Sequence, residues 1–210
     1  MTDYFELFHL ARTPSINPDQ LKQTFLKHSA RVHPDRFHQA TPAEKERAHA
    51  AYTLFNQAYQ CLRNPKDRLL HLIQLESGKP PPEVLSIPHE TTDLFMEVGS
   101  LCQQTDRFLK DGRLLSSPLL KVAWFQESQA RMDSLQGMQD RLNQWKTSLE
   151  NELASLDPAW NSAPPIGDPG RSRHLPLTRL EQLYRVLSYA SRWSDQLRER
   201  HFQLSSALIL

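Results

Sequence analysis

Apolar residues recur along this chain at three- and four-residue intervals, and the two-residue alternation of a half-buried strand is hard to find anywhere. The pattern predicts an all-α fold. From Pro18 to Val32, Leu21, Phe25 and Val32 share one helical stripe with Ser29 between them. Asn17 suits the N-cap, and Pro18 suits the first helical position, where a missing N–H costs nothing and the proline φ is already helical. Thr41 and Pro42 repeat that signal. Ala48, Ala51, Tyr52, Phe55, Ala58, Tyr59 and Leu62 then recur at helical spacing. Between the two segments, Pro34 disfavours α geometry at His33, so the first helix ends there and His33-Pro34-Asp35 becomes a loop. Two antiparallel helices joined by an exposed turn are expected.

Ser77-Gly78-Lys79-Pro80-Pro81-Pro82 breaks the pattern, and three successive prolines favour an extended, semi-rigid connection. A helix from about Thr91 to Lys110 carries Leu94, Phe95, Val98, Leu101, Cys102, Phe108 and Leu109, and Asp111-Gly112 stops it. A long helix from about Pro118 to Leu156 places Leu135, Met138, Leu142, Trp145, Leu149, Leu153 and Leu156 at near-heptad spacing, a stripe that needs partner helices. Residues 157–176, rich in Pro and Gly, read as a long mobile loop. The last helix starts near Leu177 and presents Leu180, Leu183, Leu187, Ala190, Leu197, Leu204 and Leu208. Three such helices bury one another's stripes as a bundle. The expected organisation is therefore a helical-hairpin module with flanking short helices at 1–77, a Pro-rich linker at 78–90 and a C-terminal three-helix bundle at 91–210.

Charge adds one local feature. The 210 residues carry a net charge of +1, so no global field draws nucleic acid or an anionic membrane. Lys22, Lys27, His28 and Arg31, however, lie away from the apolar stripe of the first helix, and no acidic residue stands between Gln20 and Pro34. That face is expected to be positive. Cys61 and Cys102 form no Cys-x-x-Cys pair, and His28, His38 and His49 read as surface histidines, so neither a disulfide framework nor a metal or other cofactor is implied. A Gly-rich phosphate loop, a Gly-x-Ser-x-Gly elbow and a His-Glu-x-x-His pair are all missing, which argues against an enzyme. The amino terminus lacks the basic and apolar regions of a signal peptide and no apolar run nears membrane-spanning length, so a cytoplasmic chain is expected. Two other classes remain open. The basic helix with Arg171-Ser172-Arg173-His174 could contact nucleic acid, against which the near-zero net charge argues. The stripe from Leu135 to Leu156 could also zip with a second copy, although a monomer is expected.

A motif set then comes together in order: Tyr4-Phe5-Glu6-Leu7-Phe8; the basic helix ending in His33-Pro34-Asp35-Arg36-Phe37; Phe55-Asn56-Gln57-Ala58-Tyr59-Gln60-Cys61-Leu62-Arg63-Asn64-Pro65; and Arg68-Leu69-Leu70-His71-Leu72-Ile73-Gln74-Leu75 with Gly78 following. Tyr4 to Leu75 resembles a J-domain, and the leucine-rich tail resembles the HscB-type co-chaperones of iron-sulfur cluster assembly. The resemblance implies a non-enzymatic partner of a DnaK/HscA-type heat-shock chaperone, whose ATP hydrolysis it would stimulate while the bundle presents a client. It assigns the trigger to His33, Pro34 and Asp35, with Arg36 extending the contact and Lys22, Lys27, His28 and Arg31 docking on an acidic surface. For the client it implies Phe95, Met96 and Glu97, on a helix that the family uses to hold the iron-sulfur scaffold protein. Beyond those three residues the family is rich in Leu and Glu, whereas this chain has Gly99, Ser100, Gln103, Gln104 and Arg107, so most of the acidic face has gone.

Overall fold

The computed structural model describes residues 1–37, 39–81, 91–112 and 117–207. It is all-α, with no strand among the described residues. The elements are α1 (Tyr4–Leu7), α2 (Pro18–Val32), a 3-10 turn (Pro34–Phe37), α3 (Pro42–Arg63), α4 (Pro65–Ser77), α5 (Thr92–Gly112), α6 (Pro118–Asn161), α7 (Arg171–His174) and α8 (Leu177–Ala207). They group into two compact units, Met1–Glu83 with Glu150–Tyr184 and Val84–Leu149 with Arg185–Leu210. The first unit thus takes in a stretch that the sequence pattern assigned to the bundle. The Pro-rich connection expected at 78–90 falls mostly on residues 82–90, outside the described residues.

In the first unit α2 and α3 form the hairpin, and each of α2, α3 and α4 starts with a cap followed by proline. Asn17 accepts from the N–H groups of Asp19 and Gln20, both at 3.0 Å. Thr41 and Glu44 form a reciprocal capping box. Asn64 both ends α3 and caps α4, accepting from Lys66 N–H at 3.0 Å, and α4 stops at Gly78, whose φ of 74° lies in the left-handed region that favours glycine. Leu21, Ala58, Leu62, Leu69, Leu72 and Ile73 are buried, together with Phe5 and Phe8 from α1 and its end. Phe25 is half-buried and stacks on Tyr59 at 4.2 Å. The α1 helix is held by polar contacts as well. Asp3 caps it and pairs with Arg12 at 2.7 Å, and the Tyr4 N–H donates to His71 Nε2 at 3.1 Å while the two rings stack at 4.4 Å.

Arg68 is buried and ties three segments together, its Nε donating to Pro14 O at 2.9 Å and its Nη1 to Leu62 O at 2.7 Å. The end of α6 packs into the same unit. Asp157 accepts from Ser15 N–H at 3.0 Å and from the Ser15 hydroxyl, and Trp160 is buried. This corrects the expectation of a long mobile loop at 157–176. The α6 helix runs on to Asn161 although Pro158, in its last turn, gives up the N–H bond to the carbonyl four residues before it, because the tertiary anchors at Asp157 and Trp160 hold that turn. Further along, Arg171 and Leu175 are buried. Arg171 Nε and Nη2 donate to the two Glu76 carboxylate oxygens at 2.8 and 3.0 Å, and its Nη1 to Pro164 O at 2.6 Å. That guanidinium is committed to the fold, which removes it from the basic group considered for nucleic acid.

The second unit has its core in Val98, Cys102 and Leu109 of α5, Leu135, Met138 and Leu142 of α6, and Trp193, Leu197 and Leu204 of α8. The heptad stripe is consumed inside the chain: Leu135, Leu142, Leu149 and Leu153 are buried without a second copy, so the zipping surface envisaged from Leu135 to Leu156 is not free. The α5 helix continues through Gly112, two residues past the expected end. A Cβ there would collide with the Trp124 ring, which itself stacks on Phe108 at 5.2 Å. Polar contacts border the core, Arg200 with Asp106 at 2.7 Å and Lys146 Nζ with the Ser194 hydroxyl at 2.7 Å. Leu208 of the expected last stripe lies outside the described residues.

Two stability predictions follow from the first unit. Glu76→Ala leaves the Arg171 guanidinium buried without its carboxylate and is expected to cost about 3–5 kcal/mol in urea unfolding. Burial lowers the His71 pKa below its ordinary value of 6.5, against a smaller opposing pull from Asp3. The unfolded chain therefore takes up that proton first, so the contribution of neutral His71 is fully present above about pH 6.5 and is lost as pH falls through that value toward the folded pKa. The urea midpoint of the wild type should drop more between pH 7.5 and 5.5 than that of His71→Phe; equal drops would contradict the assignment.

Candidate functional site

The turn between α2 and α3 is built by Pro34. It holds His33 at φ −60°, ψ 130°, outside helical geometry, so α2 ends and the chain reverses through one 3-10 turn. Arg36 N–H donates to His33 O at 3.0 Å. The His33 ring is edge-on to Tyr52 of α3 at 5.3 Å, and its Nδ1 accepts from Asp35 N–H at 3.3 Å. The Asp35 carboxylate lies 3.4 Å from the same nitrogen with its side chain 87% exposed. Arg36 Nη1 reaches back to Ala30 O at 3.2 Å, across the end of α2. The turn therefore presents an exposed carboxylate from a position fixed by a ring contact and backbone bonds.

The four basic residues named on α2 are not brought together. Lys27 and Arg31 are exposed on one side, one turn apart and next to the reversal. Lys22 is exposed too, but at about 100° per residue it lies about 140° round the helix from Lys27. His28 faces inward: it is half-buried and stacks on Phe55 at 4.9 Å. Burial, and then the neighbouring Arg31, His9 and Lys27, push its pKa below 6.5, so it is neutral near pH 7. The positive face is thus Lys27 and Arg31, and the sequence pattern overcounted because residues 25, 28 and 32 share the buried side.

On α5, Val98, Cys102 and Thr105 face the core. Met96 is 63% exposed, and Phe95, 37% exposed, sits at the rim with its ring 6.1 Å from Trp193. Glu97 is exposed and accepts from both Nη1 and Nη2 of Arg141, the latter at 3.2 Å. This pairing holds the Glu97 carboxyl below the usual carboxylate range. Arg141 was not singled out from sequence, since nothing local places it 44 residues from its partner. A second missed feature is an exposed apolar ridge at the start of α6, Leu119, Val122 and Phe125, whose run of apolar residues precedes the heptad stripe. Among the described residues no group of His, Cys, Asp and Glu side chains could hold a metal ion, and no helix is long and apolar enough to cross a membrane.

No family model matches the chain. A Neisseria meningitidis protein described as a "Co-chaperone protein HscB homolog" is 27% identical over 164 residues, covering 74% of this chain and 99% of that protein. A Shewanella pealeana protein of the same description is 32% identical over 104 residues, half of this chain and 55% of its own length. The chain resembles the HscB co-chaperones. The crystal structure of human co-chaperone protein HscB matches with a TM-score of 0.60 at 18% identity, over 94% of this chain and 81% of that one, a likeness in fold. The resemblance to HscB read from the motifs between Tyr4 and Leu75 is therefore matched by sequence likeness and by an all-α fold.

The exposure pattern on α5 can be checked directly. Met96→Ala is expected to change stability by no more than about 0.5 kcal/mol, as for other surface positions, whereas Leu142→Ala should cost about 2–5 kcal/mol by opening the core. Comparable losses in urea unfolding would mean that Met96 is packed.

Proposed function

We propose that this protein is a J-domain co-chaperone that stimulates ATP hydrolysis by a DnaK/HscA-type heat-shock chaperone and presents to it a client, the iron-sulfur cluster scaffold protein. The observation that carries the reading is the turn at His33, Pro34 and Asp35: an exposed carboxylate held on a proline-set reversal, beside Lys27 and Arg31, in a chain similar to HscB co-chaperones. In this reading hydrolysis belongs to the partner and the protein itself is not an enzyme. Lys27 and Arg31 steer it to an acidic surface, which raises association rate more than affinity. Asp35, with Arg36 beside it, makes the contact that triggers hydrolysis. His33 positions Asp35 through its Nδ1 and is itself steadied by Tyr52. We keep 1–77 as the proposed J-module, 78–90 as linker and 91–210 as the client-presenting bundle. The client contact is proposed at Phe95 and Met96, where apolar side chains are exposed on a helix. Glu97 contributes once its bond to Arg141 is exchanged for one to the client.

The test is a steady-state ATPase assay with a DnaK-type chaperone. The purified protein is expected to show no ATPase of its own and to raise the chaperone's turnover. His33→Gln should abolish stimulation with unchanged helicity by circular dichroism, and Lys27→Ala with Arg31→Ala should slow association and flatten its salt dependence. Full stimulation by the His33 variant would refute the role of the turn. Titration of an iron-sulfur scaffold protein against wild type and Met96→Ala tests the client face separately, and equal affinities would remove it.

A further inference from the structure

The hairpin has a second charged feature at the end away from the turn. The start of α2, the end of α3 and the start of α4 enclose a cavity of about 400 Å³. Its wall carries three cations, Lys22, Arg63 and Arg68, against one carboxylate, Asp19. Among the described residues none of the three cations forms an ion pair with a carboxylate. The most buried of them, Arg68, is held by neutral partners, the carbonyls of Pro14 and Leu62. Glu150 and Asp157 lie close enough to favour its charge, but Asp157 is engaged by Ser15. The remainder of the wall includes apolar surface from Leu21 and the ring of Tyr59, which Phe25 fixes by stacking. The residues lining the cavity thus carry two more cations than carboxylates, with Glu150 and Asp157 offsetting part of the Arg68 charge.

We infer that this cavity binds the carboxylate of a glutamate or aspartate side chain on an acidic peptide segment of a partner protein. The planar fork of an arginine matches a carboxylate with two parallel hydrogen bonds, and such charge-assisted bonds are roughly twice as strong as neutral ones. Arg68 is already fixed by two carbonyls, so little conformational freedom is lost when the ligand arrives. The apolar half of the wall receives the methylene stem of the acidic side chain and its neighbours, a contact that a free inorganic anion cannot make. Lys22 therefore serves a different surface from Lys27 and Arg31. The cavity lies at the opposite end of α2 from the His33 turn, and its occupation does not depend on the chaperone reading.

The experiment is a titration of the isotope-labelled full-length protein, followed by amide chemical shifts, with three probes: an acetylated, amidated peptide bearing two glutamates, its glutamine counterpart, and inorganic phosphate. The glutamate peptide should produce saturable shifts at Leu21, Lys22, Tyr59 and Arg63, the glutamine peptide none, and phosphate only weak shifts. Arg63→Gln, an exposed position whose loss leaves the core intact, should weaken the glutamate peptide by about tenfold, while Lys27→Ala, away from the cavity, should leave its affinity unchanged. Absence of saturable shifts, equal binding of the glutamine peptide, phosphate binding as tight as the glutamate peptide, or undiminished binding by Arg63→Gln would each overturn the proposal.

Discussion

The first unit depends on the burial of one guanidinium. Arg68 enters the protein interior at the start of α4 and spends two of its donors on the carbonyls of Pro14 and Leu62, groups that the chain around α2 and α3 would otherwise leave without helical partners. A buried charge of this kind is costly alone and is retained where hydrogen bonds and nearby carboxylates offset that cost. Glu150 and Asp157 supply that field from the end of α6, and Asp157 binds Ser15 beside the same carbonyl. The segment before α2, the α3–α4 junction and the end of α6 are thereby held in one arrangement. The orientation of the hairpin, and so the direction in which the His33 turn projects, rests on it.

How much of this was legible in the sequence follows from the range of the interactions. Caps and prolines act within four residues, so the starts of α2 and α3 could be placed from Asn17-Pro18 and Thr41-Pro42 alone, and the reversal from Pro34. The stripes of α6 and α8 were legible for the same reason: Leu135, Leu142, Leu183 and Leu197 are all buried as their spacing requires. What could not be read was set by long-range contact. Asp157 and Pro158 look like a helix stop, and only the contact with Ser15, 142 residues away, makes them part of α6. Arg171 in a Gly- and Pro-rich stretch looks like a free basic group until Glu76 is found 95 residues before it. His28 looks like one more cation on a basic helix, but burial, in part against a ring on α3, and then its neighbouring cations lower its pKa.

The same contrast decides what kind of recognition each candidate surface can perform. Beside the turn, Lys27 and Arg31 are solvated charges, whose effect reaches about a Debye length of 8–10 Å and fades with salt. On α5 the balance is reversed. Glu97 is occupied by Arg141, the positions that follow at Gly99, Ser100, Gln103 and Gln104 carry no carboxylate, and what remains exposed is Met96 with the edge of Phe95. Gly99 has open space around its Cα, so no packing need explains it. A client bound there would be held by burying apolar surface, at about 25 cal/mol per Å², and by exchange of one ion pair for another, which nets little at the surface. Binding at the turn should therefore weaken with salt while binding at α5 should not. In the proposed co-chaperone cycle that difference separates the two contacts physically: the chaperone encounter is tuned by ionic conditions, and the client contact is insulated from them.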